Sequence, residues 1–479
     1  MIVGELRHGQ FTIIDRLKET VRLSEGLKDK GTLTDAARSR ALDCLSRFGE
    51  RLRDMHASNV RTAGTSALRR ATDSGDFRRD AERALGHPIE VISGIEEARL
   101  IYSGVTHNMP PTDGIRLVLD IGGGSTELIL GKGARPQALE SLHMGCVLMT
   151  ERYFPDGRIS KNNMNEARLA ARLKLRPVKA FFRESTDIEA VGTSGTILAT
   201  ESVARALGVI ESNDLTQDAV EELISRVVEF ADIADLSLRG LSERRSQVWP
   251  GGLAILVELM EVLRIDHLKV SDGALREGLL YDQLGRVRHE DARQRSVQAL
   301  ATRYNVDQAQ AGRVAKTAGQ LLEQVAGSWN IKSELAPLVV EWGACLHEIG
   351  LDISHNNFHR HGAYIAENAD LPGFPRSEQK LLSFLIATQR SVIDQEKLRA
   401  LPSSWRPNVL RLTVILRLAV LLNRSRKSTD LSGIEASAVD SRLQLRFADG
   451  WLAENPLTIA DLEREQPLLA AAGFELEFE

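Results

Sequence analysis

The chain has 479 residues, of which 43% are hydrophobic and 27% are charged, and its formal net charge is −5. This composition is typical of a soluble globular protein with real cores, and the length suits about three domains of ordinary size. The negative net charge gives nucleic acid or an anionic membrane no global attraction, so a polyanion would need a local basic groove.

The cysteines and two apolar segments bear on the compartment. Cys44, Cys146 and Cys345 lie far apart and form no CxxC pair, which argues against a disulfide framework and a zinc knuckle. The first residues, MIVGELRHG, are too polar for a signal peptide. The most apolar late segment, 410–422, contains two arginines, which argues against a membrane span. We therefore expect a soluble, cytoplasmic protein.

In chain order, the first part of the sequence alternates between strand and helix patterns. Residues 2–14 predict a strand pair around the turn Arg7-His8-Gly9, and Thr34 can cap a helix with apolar residues on one face. A short strand is expected around Val60. A helix near 77–85, a strand at 89–92 and a helix over GIEEARLIYSGV follow. This alternation predicts an α/β domain.

A second α/β unit begins with a glycine-containing hairpin at 117–131. It continues through a helical stretch at 162–182 and a strand at 188–192, which leads into the loop VGTSGTI and a helix. A further strand, HLKVS, precedes SDGALREG and its helix. From about residue 289 to 428 helical periodicity dominates, and residues 429–479 are typical of a small mixed module.

The hairpin segment, LVLDIGGGSTELILG, is the most informative part of the chain. Gly122, Gly123 and Gly124 lack the Cβ atoms that would keep an anion from the backbone N–H groups, so the turn can form a phosphate-binding nest. Asp120, at the strand end, is placed to hold a hard cation such as Mg²⁺. A Walker loop and a dinucleotide fingerprint fit poorly, because no lysine follows the glycines and the chain continues as a strand. A structural hairpin without a ligand is the alternative.

Two further loops follow strands in a similar way. The loop at 193–196 places Thr193, Ser194 and Thr196 beside the start of a predicted helix, where backbone N–H groups are free to bind an anion. The segment SDGALREG is the third loop of this kind. The loop at 193–196 alone would more often be an ordinary capped turn, but together with the hairpin and SDGALREG it favours a phosphate held from more than one side.

Charged residues near these loops are candidates for the chemistry. Glu96 and Glu97 open a helix, where acids are common because they favour the positive helix terminus. Either could be the general base for an attacking water, and the sequence leaves the choice open. Glu127 points either into a cleft or to solvent. Arg69 or Arg70 could neutralise phosphate charge, with a surface role as the alternative.

Histidines and arginines cluster in the helical region. His347-Glu348 resembles a His-Asp metal motif in which the aspartate has become glutamate, and metal binding, anion contact and ordinary helical packing all stay open. The HExxH motif is excluded because position 351 is leucine. Two arginine runs flank the region, as solvated faces or as a track for a polyanion. They comprise Arg286, Arg288, Arg293, Arg295, Arg303, Arg406, Arg411, Arg417, Arg424 and Arg426.

The chain resembles the exopolyphosphatase and guanosine pentaphosphate phosphatase family in five segments: ISGIEEARLIYSGV, LVLDIGGGSTELILG, VGTSGTI, SDGALREG and LHEIGLDISHNNFHRHGAY. The resemblance extends over essentially the whole chain. It implies an α/β fold with two ribonuclease-H-like lobes of the actin, Hsp70 and sugar kinase superfold. An all-α domain similar to His-Asp phosphohydrolases and a small α+β C-terminal domain would follow. The implied domains are 1–112, 113–285, 286–428 and 429–479.

The resemblance also implies a role for each candidate residue. Glu97 would deprotonate the attacking water. Asp120, as a metal ligand, and Glu127 would organise Mg²⁺ and the nucleophile, with a monovalent cation such as K⁺ as a further candidate cofactor. Arg69 would be the basic clamp. The terminal phosphates would be held by Gly122, Gly123, Ser125, Thr126, Ser194, Gly195 and Thr196.

Within the family, GGGS, SDGALREG and HRHGAY look closer to long-form exopolyphosphatases. The expected activity is therefore removal of terminal orthophosphate from linear inorganic polyphosphate, with hydrolysis of guanosine pentaphosphate as the close alternative. A homodimer is implied, no nucleic-acid partner is expected, and peripheral membrane association stays open. Family members normally begin with a strand and a loop of the type DLGSNSF, which this sequence lacks. An incomplete first lobe is therefore expected, and a polyphosphate or nucleotide sensor without turnover is the second alternative.

Overall fold

The structure is a computed structural model that describes residues 1–479 except 8–9, 20, 22, 24–25, 28–30, 72–73, 113, 183–187, 212–213, 288–291, 402–404, 428–430 and 432. It divides into two compact units, Met1–Asp291 and Ala292–Glu479. The boundary coincides with the change of sequence pattern predicted near 289. The finer division into four domains stays a prediction.

The first unit begins with short strands and helices around a small core. The predicted strand pair at the start of the chain is confirmed as an antiparallel hairpin, whose turn at His8 and Gly9 lies outside the described residues. Thr34 caps the first helix, as predicted. The short strand expected around Val60 instead lies at Ala63–Gly64. The elements are β1 (Ile2–Arg7), β2 (Gln10–Arg16), α1 (Asp35–Leu52), β3 (Ala63–Gly64), α2 (Ser66–Arg70), α3 (Ser74–Leu85), β4 (Glu90–Val91) and α4 (Gly94–Asn108).

The remainder of the first unit is built on a twisted sheet with the strand order β7-β6-β5-β8-β10-β9. β5, β8 and β10 run parallel, and β6, β7 and β9 pair antiparallel to their neighbours. The elements are β5 (Ile115–Ile121), β6 (Thr126–Lys132), β7 (Arg135–Leu142), α5 (Cys146–Tyr153), α6 (Lys161–Leu175), β8 (Ile188–Thr193), α7 (Ser194–Ala206), β9 (Leu215–Thr216), α8 (Gln217–Glu229), α9 (Glu243–Ser246), α10 (Trp249–Leu263), β10 (His267–Val270) and α11 (Leu275–Val287).

The two faces of this sheet are covered differently, and this arrangement positions the site. Leu119 and Leu128 belong to the large core formed with α6, α8 and α10. Val118 and Ile129, on the opposite face, pack against buried residues of α4. Helix α4 in turn packs against α11, where a Cβ on Gly278 would lie only 1.8 Å from the backbone oxygen of Leu100. The glycine thus permits a close helix crossing that holds α4 against the sheet.

The second unit is mostly helical and ends in a small three-stranded sheet, as predicted. Trp329, Trp342 and Phe374 lie in its core, and β11, β12 and β13 form the sheet. None of the described helices in the chain is both long and apolar enough to span a membrane. The elements are α12 (Ala292–Arg303), α13 (Gln308–Val325), α14 (Leu335–Leu346), α15 (Phe358–Asn368), α16 (Arg376–Thr388), α17 (Gln395–Arg399), α18 (Arg406–Leu422), β11 (Glu435–Val439), β12 (Arg442–Arg446), α19 (Trp451–Glu454), α20 (Pro456–Ala470) and β13 (Glu475–Phe478).

Candidate active site

The predicted glycine hairpin is formed by β5 and β6, and it brings two carboxylates face to face. Asp120 pairs with Glu127 across the antiparallel ladder, and the next pair joins Ile121 to Thr126. Directly opposite residues point to the same face of a sheet. Asp120 and Glu127 therefore project together from the face that α4 covers, and both are buried.

Helix α4 supplies a third carboxylate to the same place. The Ser93 side chain caps the helix by accepting a hydrogen bond of 3.1 Å from the N–H of Glu96. Glu97, one residue further on, is buried and close enough to Asp120 and Glu127 to raise the pKa of both. The structure thus brings together Glu97, Asp120 and Glu127, the three acidic residues to which the family resemblance gives roles.

The electrostatics of this carboxylate cluster are unfavourable in the absence of a cation. Burial first, and Glu97 second, raise the pKa of Asp120 to about 7. Burial, Glu97 and Asp120, in that order, raise the pKa of Glu127 well above its usual value. Burial also raises the pKa of Glu97, and Arg69 partly offsets that rise. Three buried carboxyl groups of this kind are not all ionised at neutral pH unless positive charge enters the site.

Arg69 is the cation closest to this cluster among the described ion pairs. Its Nη1 donates hydrogen bonds of 2.8 Å to Glu97 Oε2 and 2.9 Å to the carbonyl oxygen of Ile92. The neighbouring Arg70 diverges, since its Nη1 lies 3.7 Å from the place that a Cβ on Gly124 would occupy. The two arginines that spacing could not separate therefore have different neighbours, Glu97 for Arg69 and the glycine turn for Arg70.

The choice between Glu96 and Glu97 is equally clear in the structure. The Glu96 carboxylate is fully buried and accepts two hydrogen bonds from Arg99, of 2.7 and 2.8 Å. Arg61 lies 3.6 Å from the same carboxylate, and Arg61 and Arg99 both contact Asp282 on α11. Glu96 thus belongs to a closed ion network between α4 and α11. Only Glu97 faces Asp120 and Glu127.

The turn of the hairpin has the backbone geometry of an anion-binding nest. The N–H of Gly122 donates 2.9 Å to the carbonyl of Ser125, and the carbonyls of Gly122 and Gly123 accept from the first turn of α5. Within the described part of the chain, the N–H groups of Gly123 and Gly124 have no protein acceptor. Donors held in a tight turn and left unpaired suit a phosphate group.

The two hydroxyl groups of this turn lie among protein groups, and that of Thr126 has a hydrogen-bond partner. The Thr126 hydroxyl donates 2.8 Å to the carbonyl of Met144 and is fully buried. The hydroxyl of Ser141 donates 2.8 Å to Glu127 Oε1, and Ser125 with Ser141 lowers the pKa of that carboxyl against the larger effect of burial. The Thr126 hydroxyl thus orients the turn, and the free backbone N–H groups are the donors that a phosphate would meet there.

The second predicted loop lies beside the first, because β8 is parallel to β5. Thr193 pairs with Asp120 in that ladder, and Ser194 and Gly195 begin α7. The Ser194 hydroxyl accepts a 3.3 Å hydrogen bond from the N–H of Ile121, which joins the two loops directly. Ser194 also has a left-handed backbone, with φ of 90°. Thr196 is fully buried in the first turn of the helix.

The third predicted loop, SDGALREG, contacts the second loop through a hydrogen bond. The hydroxyl of Thr193 donates 2.9 Å to the carbonyl of Gly273. At the start of α11 the N–H of Ala274 donates 3.0 Å to the buried carboxylate of Glu277. A carboxylate already occupies this helix start, so the loop is a poorer phosphate site than the other two.

Sequence reasoning missed a group of cations near the second loop. The guanidinium of Arg245, on α9, fills the space beside Gly195, where a Cβ would lie 2.0 Å from Nη2. Arg244 and Arg276 lie close by, since with Arg245, and after burial, they lower the pKa of Lys18. Arg245 is fifty positions from Gly195 in the chain, and no spacing pattern links them. Only the tertiary structure brings this charge to the loop.

The donor chemistry of the carboxylate cluster suits Mg²⁺. Asp120 and Glu127 offer hard oxygen ligands, and two buried carboxylates paired on one sheet face favour the approach of a cation. Among the described residues, no group of three or more acidic, histidine or cysteine side chains forms a complete metal cage. Mg²⁺ commonly uses one or two carboxylates together with water and substrate phosphates, and this donor set fits that habit.

The histidine motif in the second unit packs internally. His347 is buried, and its Nδ1 lies 2.7 Å from the carbonyl oxygen of Ala344. Its Nε2 is 3.9 Å from Glu348, which contacts Arg426. The described geometry favours ordinary helical packing over a metal site at this position.

The arginines of the second run are also engaged within the second unit, which leaves little of a free polyanion track. Arg411 donates to the carbonyl of Trp329, and Arg417 contacts Glu465. Arg406 donates to backbone carbonyls, and Arg424 contacts Asp461. In the first run, Arg288 and the side chain of Arg286 lie outside the described residues.

Comparisons with known proteins agree with this geometry. The model of the Ppx/GppA phosphatase family matches residues 2–287, and that of Ppx/GppA phosphatase, domain III, matches residues 292–466. A Vibrio cholerae serotype O1 protein named guanosine-5'-triphosphate,3'-diphosphate pyrophosphatase is 39% identical over 485 residues, which cover 100% of this chain and 95% of that protein.

Two solved structures support the same fold. An Aquifex aeolicus member of the Ppx/GppA family is 25% identical with a TM-score of 0.50, covering 59% of this chain and 92% of its own. An exopolyphosphatase from Cytophaga hutchinsonii is 23% identical with a TM-score of 0.54, covering 59% and 93%. The predicted fold class, an actin-like α/β fold followed by a mostly helical region, is confirmed. The chain belongs to the Ppx/GppA phosphatase family.

Proposed function

We propose that the chain hydrolyses the terminal phosphoanhydride bond of guanosine pentaphosphate, releasing orthophosphate and guanosine tetraphosphate. The observation that carries the proposal is the convergence of Glu97, Asp120 and Glu127 beside the unpaired N–H groups of the glycine turn. The choice of substrate rests on the Vibrio relative, which is similar along 95% of its length and is named for this nucleotide.

In the proposed reaction, Glu97 accepts a proton from a water molecule whose oxygen attacks the terminal phosphorus. The bond from that phosphorus to the bridging oxygen breaks, and the electron pair leaves with the shortened nucleotide. Because burial raises the pKa of Glu97, the carboxylate is a stronger base than an exposed one. Arg69 keeps enough of it ionised, since its positive charge favours the carboxylate form.

The remaining residues bind and orient the terminal phosphate. The N–H groups of Gly123 and Gly124 would receive it on one side, and Ser194 with the start of α7 on the other. Asp120, with Glu127, would hold Mg²⁺, which would supply positive charge to the phosphoryl oxygens. Mg²⁺ itself, a monovalent cofactor, a homodimer and a cytoplasmic location all stay predictions.

Exopolyphosphatase activity, which the sequence motifs favoured, is the second candidate. The bond broken and the residues required are the same, and a solved relative bears that name. The comparisons support the nucleotide substrate better, because the relative with the higher identity and the wider coverage is named for it.

Phosphate release by the purified full chain decides between these functions. Guanosine pentaphosphate and long-chain polyphosphate are compared at equal phosphate concentration with Mg²⁺, for the wild type, Glu97→Gln and the exposed control Glu229→Gln. We expect faster turnover of the nucleotide, and a loss of about 10²–10⁴-fold in Glu97→Gln only. Phosphate release by Glu97→Gln at nearly the wild-type rate would contradict the proposed mechanism. Binding of either ligand without any release would instead indicate a sensor.

A further inference from the structure

A cavity of about 550 Å³ opens beside the glycine turn in the first unit. Arg70 and Met144 form the wall next to the turn, and Met144 is also the residue whose carbonyl accepts from Thr126. Its volume is that of a small-molecule site, larger than one phosphate ion needs. The cavity therefore lies next to the proposed phosphate site and has room for a further part of the substrate.

Arg70 provides the strongest sign of an anionic ligand. Its Nη1 is buried and has no hydrogen-bond partner in the described part of the chain. The same atom lies 3.7 Å from the place that a Cβ on Gly124 would occupy. A buried guanidinium N–H group without an acceptor is costly, and a phosphate oxygen would satisfy it once the Arg70 side chain turns into the cavity that it lines.

The other charged residues of the cavity are mostly basic. Arg152 and Lys174 are exposed at its edge, and Glu151 is the acidic residue in its lining. Burial, followed by Arg70, Lys174 and Arg69, lowers the pKa of His143. These cations thus lie close to the same point, and their combined field favours a multiply charged anion.

Part of the cavity wall is apolar and aromatic. Leu148, Met149 and Tyr153 line it, and the Arg152 guanidinium lies 5.6 Å from the centre of the Tyr153 ring. Cations combined with an apolar wall suit a phosphorylated organic group at least as well as a bare phosphate chain.

We propose that this cavity binds the phosphates of the substrate that do not react, with Arg70, Arg152 and Lys174 as their ligands. The inference rests on the proposed function and deepens it. In guanosine pentaphosphate, the unreacted phosphates are the two inner ones of the 5' chain and the diphosphate on the 3' carbon, and we assign the 3'-diphosphate to the cavity. In a polyphosphate, the phosphates bound in the cavity are those further along the chain from the cleaved bond.

The test measures binding rather than turnover, in a Glu97→Gln background that keeps the ligand intact. Titration calorimetry gives the dissociation constants of GTP, guanosine pentaphosphate, tripolyphosphate and long-chain polyphosphate, with and without Lys174→Met or Arg152→Met. Both side chains are exposed, so these variants should fold normally. Lys161→Met, an exposed change at the other end of α6, is the matched control.

A roughly tenfold weaker affinity for guanosine pentaphosphate, with GTP unchanged, would place the 3'-diphosphate in the cavity. A similar loss for long-chain polyphosphate but not for tripolyphosphate would place the polyphosphate chain there. Unchanged constants for all four ligands, equal losses for all four, or no binding at all would overturn the proposal. Phosphate release by the wild type is measured separately, so failure of the cavity and failure of the hydrolase are distinguishable.

Discussion

Arg69 and Glu97 form a 2.8 Å ion pair that lies on the edge of a cluster of buried carboxyl groups. The arginine acts against burial, which raises the pKa of Glu97. The pair therefore sets how much of the proposed base is ionised near neutral pH, and it links the residue chosen for proton transfer to a single cation.

Replacing Arg69 should shift the pH dependence of turnover. In Arg69→Met the pKa of Glu97 rises further, so the acidic limb of the pH–rate profile should move to higher pH and the rate at pH 7 should fall about 10–100-fold. Arg69→Lys should restore part of the rate and part of the position of the acidic limb. Arg79→Met, which changes an exposed side chain, should alter neither. A fall in rate with an unmoved limb would mean that Arg69 acts only on the substrate.

Glu96→Gln and Glu97→Gln should have different effects on the free energy of unfolding. Glu96→Gln breaks a buried ion network with Arg61, Arg99 and Asp282, and we expect a loss of about 3–5 kcal/mol in the free energy of unfolding. Glu97→Gln removes a charge that sits beside two other carboxyls, so its stability should equal or exceed that of the wild type. Urea unfolding of both variants measures this. The reverse order of stabilities would contradict the assignment of the two residues.

Asp120→Asn should make the metal-free protein more stable at high pH. The folded state raises the pKa of Asp120 from 3.8 to about 7, so it binds a proton that the unfolded chain releases in this range. Stability should therefore fall as pH rises from 3.8 to about 7, by at most ~4 kcal/mol from this residue. The Asp120→Asn side chain does not titrate, so the stability of this variant should not fall with pH for this reason.

Urea unfolding in EDTA at pH 4 and pH 8 measures the effect of Asp120→Asn, with the exposed Asp54→Asn as the control. We expect the variant to exceed the wild type at pH 8 and to match it near pH 4. Added Mg²⁺ should stabilise the wild type more than the variant, because the ion binds the folded state through this carboxylate. An equal difference at both pH values would exclude the titration of Asp120 as its cause.

Gly145→Ala should disturb the glycine turn without touching a phosphate. A Cβ at Gly145 would lie 2.4 Å from the backbone carbon of Gly123 and 2.5 Å from the nitrogen of Gly124. Relief of this clash moves the turn, so we expect a loss of about 1–3 kcal/mol in stability and a rise in KM. Gly75→Ala, where a Cβ meets nothing within 4 Å, is the control. Unchanged kinetics in Gly145→Ala would argue against binding at this turn.

Arg245→Met should weaken substrate binding through the second loop. The guanidinium packs against Gly195, where the terminal phosphate would meet the start of α7. We expect KM to rise about tenfold with little change in kcat, since a charged contact present before and during the reaction affects binding alone. Arg226→Met, which removes an exposed pair with Glu222, is the control. A fall in kcat at constant KM would instead place Arg245 in the chemical step.

The hairpin, the loops and the unit boundary followed from local patterns, because strand alternation and glycine turns depend on neighbours in sequence. The choice between Glu96 and Glu97 did not follow, since adjacent residues of one helix differ only in the partners that α11 and β5 supply. Arg245 was missed because its contact with Gly195 also depends on tertiary structure and not on neighbours in sequence. The hydroxyl of Thr126 looked like a phosphate ligand in sequence, yet it donates to Met144, a contact that depends on where β7 ends.

Because Asp120 pairs with Glu127 across the hairpin, the geometry of the site also depends on the number of residues in the glycine turn. Side chains alternate between the faces of a strand, so one residue added to or removed from 122–125 would slip the register and place one of the two carboxyl groups among the apolar side chains on the other face. Substitutions in this turn alter the site locally. A single-residue insertion would separate the two acidic groups altogether.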